Sequence, residues 1–186
     1  MAHTTLYLVR HGEQSPEANH SPDGGLSAKG RDQAGRLGRR LSTVTFDAVH
    51  HSPLARAAET ARIVATHLPA GTPVHECDHA RDRTPIPSDK SGYPERWHGW
   101  LDTVPEDERD EDAVALTKAF AYFRGAGEHQ LVVTHAFVIG WFVRQVLDAP
   151  PWRWIGLNHD NCGLTIVQFD PERPATLLTY NDTGHL

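Results

Sequence analysis

The sequence contains little cysteine, a single methionine, no excess of basic residues and no long apolar run. Its two cysteines, Cys77 and Cys162, cannot form a disulfide framework and match no zinc-binding spacing, so we expect a reducing, cytoplasmic location. No apolar run approaches the length that crosses a bilayer, so no membrane anchor is expected. The formal net charge of −6 gives no support to nucleic-acid or anionic-membrane binding.

The composition is otherwise that of an ordinary globular protein. The 186 residues are 39% hydrophobic and 23% charged, which favours one domain over residues 1–186 with a core of its own. Histidine is abundant, with 13 residues, and this count by itself is compatible with metal binding, proton chemistry or neither. Acidic residues concentrate in one run, Pro105–Ala113, which we interpret as the solvated start of a helix.

Strand-like and helix-like segments alternate along the chain. This alternation predicts an α/β fold, a three-layer sandwich with a mostly parallel central sheet and helices on both faces. A long segment, Cys77–Pro105, is rich in breakers and is predicted to be an irregular, functional loop. The predicted strands are Thr5–Val9, Phe46–His50, Thr72–Glu76, Gln130–Thr134, Leu164–Asp170 and Ala175–Tyr180; the predicted helices are Ser27 (N-cap) to Ser42, Ser52 (N-cap, with Pro53 first) to Leu68, Ala113–Phe123 and Ala136–Leu147.

Histidine and arginine follow the ends of three predicted strands. Because ligands of open α/β sheets bind beyond the carboxyl ends of the strands, we expect His11, His135, Arg10 and Arg56 to converge there. Two guanidinium forks suit a tetrahedral oxyanion, and a neutral imidazole can attack phosphorus to form a phosphohistidine. A second imidazole can stabilise the phosphoryl oxygens, and Gly12 would let the backbone approach the phosphate.

Several motifs occur together and in a consistent order. The chain resembles the histidine phosphatase superfamily, also called the phosphoglycerate mutase-like superfamily, over nearly its whole length. The stretches that carry this resemblance are LVRHGE (Leu8–Glu13), GLSAKG with Gln33-Ala34, SPLARA with Thr60-Ala61, VVTHA with Val138-Ile139, and Asn181-Asp182 with His185-Leu186. The resemblance implies the phosphoglycerate mutase-like fold.

The resemblance also implies a site without metal or cofactor. His11 would be the nucleophile, and Arg10, Arg56 and His135 would complete the phosphate pocket. Ala136 stands where the family often has glycine, a change of little effect if only its backbone N–H faces the phosphate. The usual early asparagine after the first motif is absent; Asn19 comes late as a candidate phosphate ligand.

The family draws its proton donor from the segment after the third strand. Around Arg81-Asp82 and Pro85-Ile86 this segment is similar to that of the mitochondrial Ser/Thr protein phosphatases of the superfamily, with Asp82 in place of their glutamate. Asp82 is therefore the favoured donor, with a raised pKa, while Glu76 and Asp78 remain competitors. Aspartate is one methylene shorter than glutamate, which leaves its reach to the leaving group open.

These observations predict a metal-independent phosphomonoester hydrolase that works through a phosphohistidine. Its substrate would be a small phosphorylated metabolite or a phosphoprotein, with no nucleic-acid or membrane partner, and a homodimer is left open. The first alternative is a phosphoglycerate or phosphosugar mutase, although the acidic segment lacks the pattern of mutases. The second is a catalytically weak binding protein, against which the intact histidines and arginines argue.

Overall fold

The computed structural model describes residues 3–16 and 24–186, which form a mixed α/β fold. Several short 3₁₀ turns lie between the longer elements. The strands are β1 (Thr4–Arg10), β2 (Ala48–His51), β3 (Val74–Glu76), β4 (Thr84–Ile86), β5 (Arg109–Glu111), β6 (His129–Thr134), β7 (Leu164–Asp170) and β8 (Arg173–Asp182); the helices are α1 (Ala28–Leu41), α2 (Ala55–Ala65), α3 (His98–Asp102), α4 (Val114–Arg124) and α5 (Ala136–Val146).

The central sheet has six strands in the order β3-β2-β6-β1-β7-β8. The four strands from β3 to β1 run parallel, whereas β7 and β8 are antiparallel to their neighbours. The central strands β1 and β6 are buried on both faces, which explains their continuous apolar sequences. The predicted α/β class with a mostly parallel sheet is confirmed.

Two apolar cores cover the two faces of this sheet, because successive side chains of a strand point to opposite sides. Leu8 and Val132 pack in the core with α4, α5 and the segment that precedes α4. Val9 and Val133 pack in the other core with α1 and α2. These cores produce the three predicted layers.

Helix α1 agrees with its sequence signals. Ser27 is its N-cap, and the Ser27 hydroxyl accepts a hydrogen bond from the Gly30 amide at 3.0 Å. Ala34, Leu37 and Leu41 are buried on one face, as their spacing predicts. The predicted β7 bounds are also observed, and β8 is longer than predicted.

The prediction that Ser52 caps α2 is wrong. The helix begins at Ala55 with Leu54 as its N-cap, and it ends at Ala65 instead of Leu68. Ser52 directly follows β2 and is fully buried. Its amide is held by the Val133 carbonyl at 3.0 Å, so the chain is still in the sheet where the Ser-Pro pair suggested a helix.

The acidic run Pro105–Ala113 does not form the predicted start of a helix. It forms a 3₁₀ turn (Glu106–Glu108) and β5, which pairs in parallel with β4. Helix α4 starts only at Val114. The buried Asp110 accepts hydrogen bonds from the Ala115 and Leu116 amides. One acid of the run therefore caps α4, although it lies four residues before the helix begins.

The long segment before this run is more ordered than predicted. Between Cys77 and Pro105 the chain forms β4, α3 and three 3₁₀ turns instead of an irregular loop. Leu101 of α3 is buried in the core shared with α4 and α5, so the segment is packed against the sheet. Throughout residues 3–16 and 24–186, each helix is too short or too polar to cross a membrane.

Candidate active site

The carboxyl ends of three adjacent parallel strands form the site. His11, Ser52 and His135 directly follow β1, β2 and β6, the last of which lies between the other two strands. Hydrogen bonds continue beyond the strands, since the His11 amide donates to the Thr134 carbonyl at 3.0 Å. The sheet register therefore brings these side chains together, as the sequence predicts.

His11 has a defined tautomer. Its Nδ1 lies 2.8 Å from the Gly12 carbonyl, which can only accept, so Nδ1 carries the proton. Its Nε2 accepts from Arg56 Nε at 3.2 Å, so the Nε2 lone pair faces the site. Burial, then the charge of His135 and the guanidinium groups, lower the pKa of His11 to about 3. The imidazole is therefore neutral at pH 7 and able to act as a nucleophile.

Arg56 contacts three other side chains of the site. It is the second residue of α2, and only 13% of its side chain is exposed. Its Nη2 donates to Asp82 Oδ2 at 2.9 Å and lies 3.4 Å from His135 Nδ1, while its Nε donates to His11. The guanidinium thus offers cationic donors where the sequence predicts a phosphate pocket.

His135 is almost fully buried between Ser52 and the charged groups. Its Nε2 lies 2.9 Å from Ser52 Oγ, and its ring centroid is 5.2 Å from that of His11. Burial, followed by the charges of Arg56 and Arg10, lowers the pKa of His135 well below its usual value. His135 is therefore neutral at pH 7.

Asp82 is the carboxyl that reaches the histidines. Its Oδ2 lies 3.2 Å from His135 Nδ1, and 30% of its side chain is exposed. Desolvation raises the pKa of Asp82, more than the nearby Arg56 and His11 lower it. The segment that carries Asp82 is fixed by the Thr134 hydroxyl, which donates to the Ala80 carbonyl at 2.7 Å.

The two competing carboxyls lie elsewhere. Asp78 is exposed and pairs with Arg81 and Arg83, and the hydrogen bond from Arg81 lowers the pKa of Asp78. A proton donor needs the opposite shift. Glu76 is exposed at the end of edge strand β3. The geometry thus favours Asp82 among the three.

Arg10 completes the cationic side of the pocket. Its Nη1 donates to the His159 carbonyl at 2.6 Å, which fixes the guanidinium at the end of β1. Within the described part of the chain, its buried Nε has no hydrogen-bond partner. An anion in the pocket would satisfy this donor.

Gly12, predicted to let the backbone approach a phosphate, has a packing role in the structure. Its amide donates to Thr60 Oγ1 at 3.0 Å, and a Cβ at Gly12 would lie 2.6 Å from the Gly30 carbonyl oxygen. Glycine is therefore required for close packing against α1. Ala136 is the first residue of α5, so its amide has no partner within the helix and is available to an anion. Asn19 lies outside the described residues.

Three polar residues that orient the site were not predicted in these roles. Ser52 contacts His135, Thr60 holds the Gly12 amide, and Asn161 Nδ2 donates to the His11 carbonyl at 2.9 Å. Serine, threonine and asparagine are common in loops and caps, so one sequence carries no signal for these contacts. Among residues 3–16 and 24–186, no group of three or more His, Cys, Asp or Glu side chains could hold a metal ion.

The model of the histidine phosphatase superfamily (branch 1) matches residues 6–183. The chain belongs to this superfamily. In sequence, this histidine phosphatase chain is 28% identical over 197 residues to the mitochondrial serine/threonine-protein phosphatase Pgam5 of Caenorhabditis briggsae, covering 100% of the chain and 65% of the relative. It is 28% identical over 190 residues to human PGAM5, covering 97% of the chain and 63% of that protein. The chain therefore spans less than two thirds of the length of these relatives.

Solved structures of the superfamily share the fold. Bacillus stearothermophilus YhfR superposes with a TM-score of 0.77 at 26% identity, covering 98% of each chain. A putative alpha-ribazole-5'-P phosphatase from Escherichia coli superposes with a TM-score of 0.76 at 23% identity, covering 98% of this chain and 97% of that one. The predicted resemblance to this superfamily, including its mitochondrial Ser/Thr protein phosphatases, is confirmed.

Proposed function

We propose that this histidine phosphatase chain hydrolyses phosphomonoesters through a phosphohistidine on His11. The observation that carries the proposal is the neutral, buried imidazole of His11, whose Nε2 lone pair points toward Arg56. A nucleophile next to guanidinium donors suits a substrate that brings two negative charges on a tetrahedral group.

In the first step, Arg10, Arg56 and the Ala136 amide bind the phosphate oxygens. Arg56 turns its N–H groups from His11 to the substrate, which frees the Nε2 lone pair. Nε2 attacks phosphorus while the bond from phosphorus to the ester oxygen breaks. Protonated Asp82 gives its proton to that oxygen, so the alcohol leaves neutral. The proton on His135 Nδ1 or Nε2 can be donated to the equatorial oxygens as their charge grows.

In the second step, water takes the place of the alcohol. Asp82, now a carboxylate, accepts a proton from this water as its oxygen attacks phosphorus. The electron pair of the nitrogen–phosphorus bond returns to His11 Nε2, and inorganic phosphate leaves. The raised pKa of Asp82 suits both roles, because the group must hold a proton first and accept one afterwards.

The cationic charge of Arg10 and Arg56 can stabilise the phosphoryl group, so we propose that turnover needs no metal. The substrate is proposed to be a small phosphorylated metabolite or a phosphoprotein. The printed names of the similar proteins include serine/threonine-protein and alpha-ribazole-5'-P phosphatases, which is compatible with both classes. The cytoplasmic location and the single domain remain predictions, and the location differs from that in the names of the mitochondrial relatives.

The direct test is hydrolysis of an aryl phosphate, phosphorylated metabolites and phosphopeptides, all in excess EDTA. We expect release of inorganic phosphate by the wild type and only background release by His11→Ala. His3→Ala, which changes an exposed histidine, is the matched control and should retain full activity.

Loss of wild-type turnover in EDTA would contradict metal independence, and turnover by His11→Ala would contradict the nucleophile. An isomerised phosphate ester without free phosphate would identify a mutase instead. Comparison of kcat/KM across the panel then ranks the substrate classes.

A further inference from the structure

The support turn, defined as His159–Cys162, lies shortly before β7 and is hydrogen-bonded to the end of β1. The Cys162 amide donates to the Arg10 carbonyl at 2.9 Å. The Asn161 side chain donates through Nδ2 to the His11 carbonyl at 2.9 Å. The turn therefore holds the backbone of the two residues that the proposed mechanism uses for phosphate binding and for attack.

The same turn also holds the guanidinium group of Arg10. The His159 carbonyl accepts from Arg10 Nη1 at 2.6 Å, whereas the buried Arg10 Nε has no hydrogen-bond partner within the described part of the chain. The N–H donors of a guanidinium lie in one rigid plane, so a partner that fixes one nitrogen also directs the others. Displacement of the His159 carbonyl would therefore turn the donors that are proposed to bind phosphate.

Asn181, near the end of β8, holds the support turn through one of its residues. Its Oδ1 accepts from the Asp160 amide at 2.8 Å, and its Nδ2 donates to Asp160 Oδ2 at 2.8 Å. Both ends of the side-chain amide are thus used by a single residue. Asp160 lies between His159 and Asn161, the two residues of the turn that contact the Arg10 guanidinium and the His11 carbonyl.

The local backbone accommodates this contact. Asn181 has a φ of 44°, in the left-handed region that asparagine and aspartate adopt more readily than most other residues. The pairing of β7 with β8 shifts register between Leu164 and Ile166, at the same end of the strand pair. A Cβ at Gly163 would lie 2.2 Å from Asn181 Oδ1, so glycine is required to admit the amide. These features place the Asn181 side chain against the support turn.

We propose that Asn181 is a positioning residue for phosphate binding and attack: by holding Asp160 it fixes the support turn, and the turn fixes Arg10 and His11. This inference rests on the proposed phosphatase function. It gives a role to the Asn181-Asp182 motif, which the proposed mechanism does not use. Asn181 acts through the two residues at the end of β1 rather than on the substrate.

The test is an exchange of the two side chains that meet at this contact. Asn181→Asp retains the shape and the backbone preference but places a second carboxylate against that of Asp160. We expect the Kd of inorganic phosphate, measured by titration calorimetry, to rise roughly 3- to 10-fold, and kcat for an aryl phosphate to fall by a similar factor. Asn181→Gly removes the amide without adding charge and should have the same effect.

The double variant Asp160→Asn/Asn181→Asp again pairs an amide with a carboxylate and keeps the net charge of the wild type. It should bring Kd and kcat back to within about 2-fold of the wild-type values, because the two substitutions are coupled through one contact. Asn158→Asp adds a negative charge at an exposed residue next to the turn and is the matched control, with wild-type values expected.

Thermal unfolding of each variant accompanies these measurements. A smaller folded fraction lowers kcat and the number of phosphate sites but leaves Kd unchanged, so Kd distinguishes positioning from a loss of stability. A wild-type Kd in Asn181→Asp and Asn181→Gly would overturn the proposal. Equal weakening in Asn158→Asp, or an exchange that does not restore phosphate binding, would overturn it as well. A wild type that neither binds phosphate nor hydrolyses the ester would instead refute the function on which the inference rests.

Discussion

At the scale of single residues, the site depends on which atoms carry protons. The Gly12 carbonyl fixes the proton on His11 Nδ1, and Arg56 lies on the opposite side of the ring. A lowered pKa keeps His11 neutral, and a raised pKa keeps Asp82 protonated to higher pH. Opposite shifts of a base and an acid in one pocket are the pattern expected for a nucleophile and a proton donor.

The contact between Ser52 and His135 provides a residue-scale prediction. In Ser52→Ala the buried imidazole loses the hydroxyl at 2.9 Å that orients it, so kcat should fall about 3- to 10-fold, the effect of one lost hydrogen bond. Steady-state kinetics on an aryl phosphate measure this loss. Ser42→Ala, at an exposed serine after α1, is the control and should retain the wild-type kcat. An unchanged kcat in Ser52→Ala would show that this contact does not orient His135.

The residues of the site differ in how far the sequence predicted them. His11, His135, Arg10 and Arg56 follow strand ends and belong to motifs, so their convergence was predictable from the sheet alone. The resemblance favoured Asp82 but left Glu76 and Asp78 open, and the observed contacts support the choice of Asp82. The role of Gly12 was not predictable, because its neighbour across the contact, Gly30, lies on α1.

At the scale of elements, α1 and the segment after β1 approach each other through two glycines. A Cβ at Gly30 would lie 2.1 Å from the Glu13 carbonyl oxygen, and a Cβ at Gly12 would lie 2.6 Å from the Gly30 carbonyl oxygen. This contact supports the chain directly beyond His11. The position of the nucleophile therefore depends on the absence of a side chain on a neighbouring helix.

A pair of substitutions in α1 tests this contact. Gly30→Ala should lower the free energy of unfolding by about 1 to 3 kcal/mol, because backbone must move to admit the methyl group, and should reduce activity as well. Gly35→Ala, where the Cβ would be 3.5 Å from Arg39 Nη1, should raise the free energy of unfolding by about 0.5 to 1 kcal/mol, because alanine favours a helix more than glycine does. Urea unfolding of both variants provides the comparison. Equal stability of the two would contradict the close approach.

The elements that were predicted wrongly share a physical reason. Local signals correctly predicted α1, because Ser27 and the spacing of its apolar residues act within the helix. The pairing of β4 with β5 joins short strands that are far apart in the sequence, which leaves no periodic pattern to detect. The capping of α4 by Asp110 is equally hard to detect in the sequence, because Asp110 reaches the helix only when its segment forms β5.

At the scale of the whole molecule, the fold separates charge. The net charge of −6 coexists with a pocket that contains Arg10 and Arg56. Much of the acidic charge lies in the run Pro105–Ala113, which forms a 3₁₀ turn and β5. The alternation of strands and helices was sufficient to predict the sheet and its two covered faces, while the arrangement of the acidic segment required the folded structure.

The most direct test of the account is capture of the phosphoryl group on His11. The chain is mixed with a ³²P-labelled aryl phosphate and quenched in alkali, which preserves phosphohistidine, using Asp82→Asn to slow the attack of water by about 10²- to 10⁴-fold. The account predicts one alkali-stable, acid-labile phosphoryl group per chain, located on His11 by peptide mapping and lost in His11→Ala. Turnover without such a labelled intermediate, or label on another residue, would contradict it.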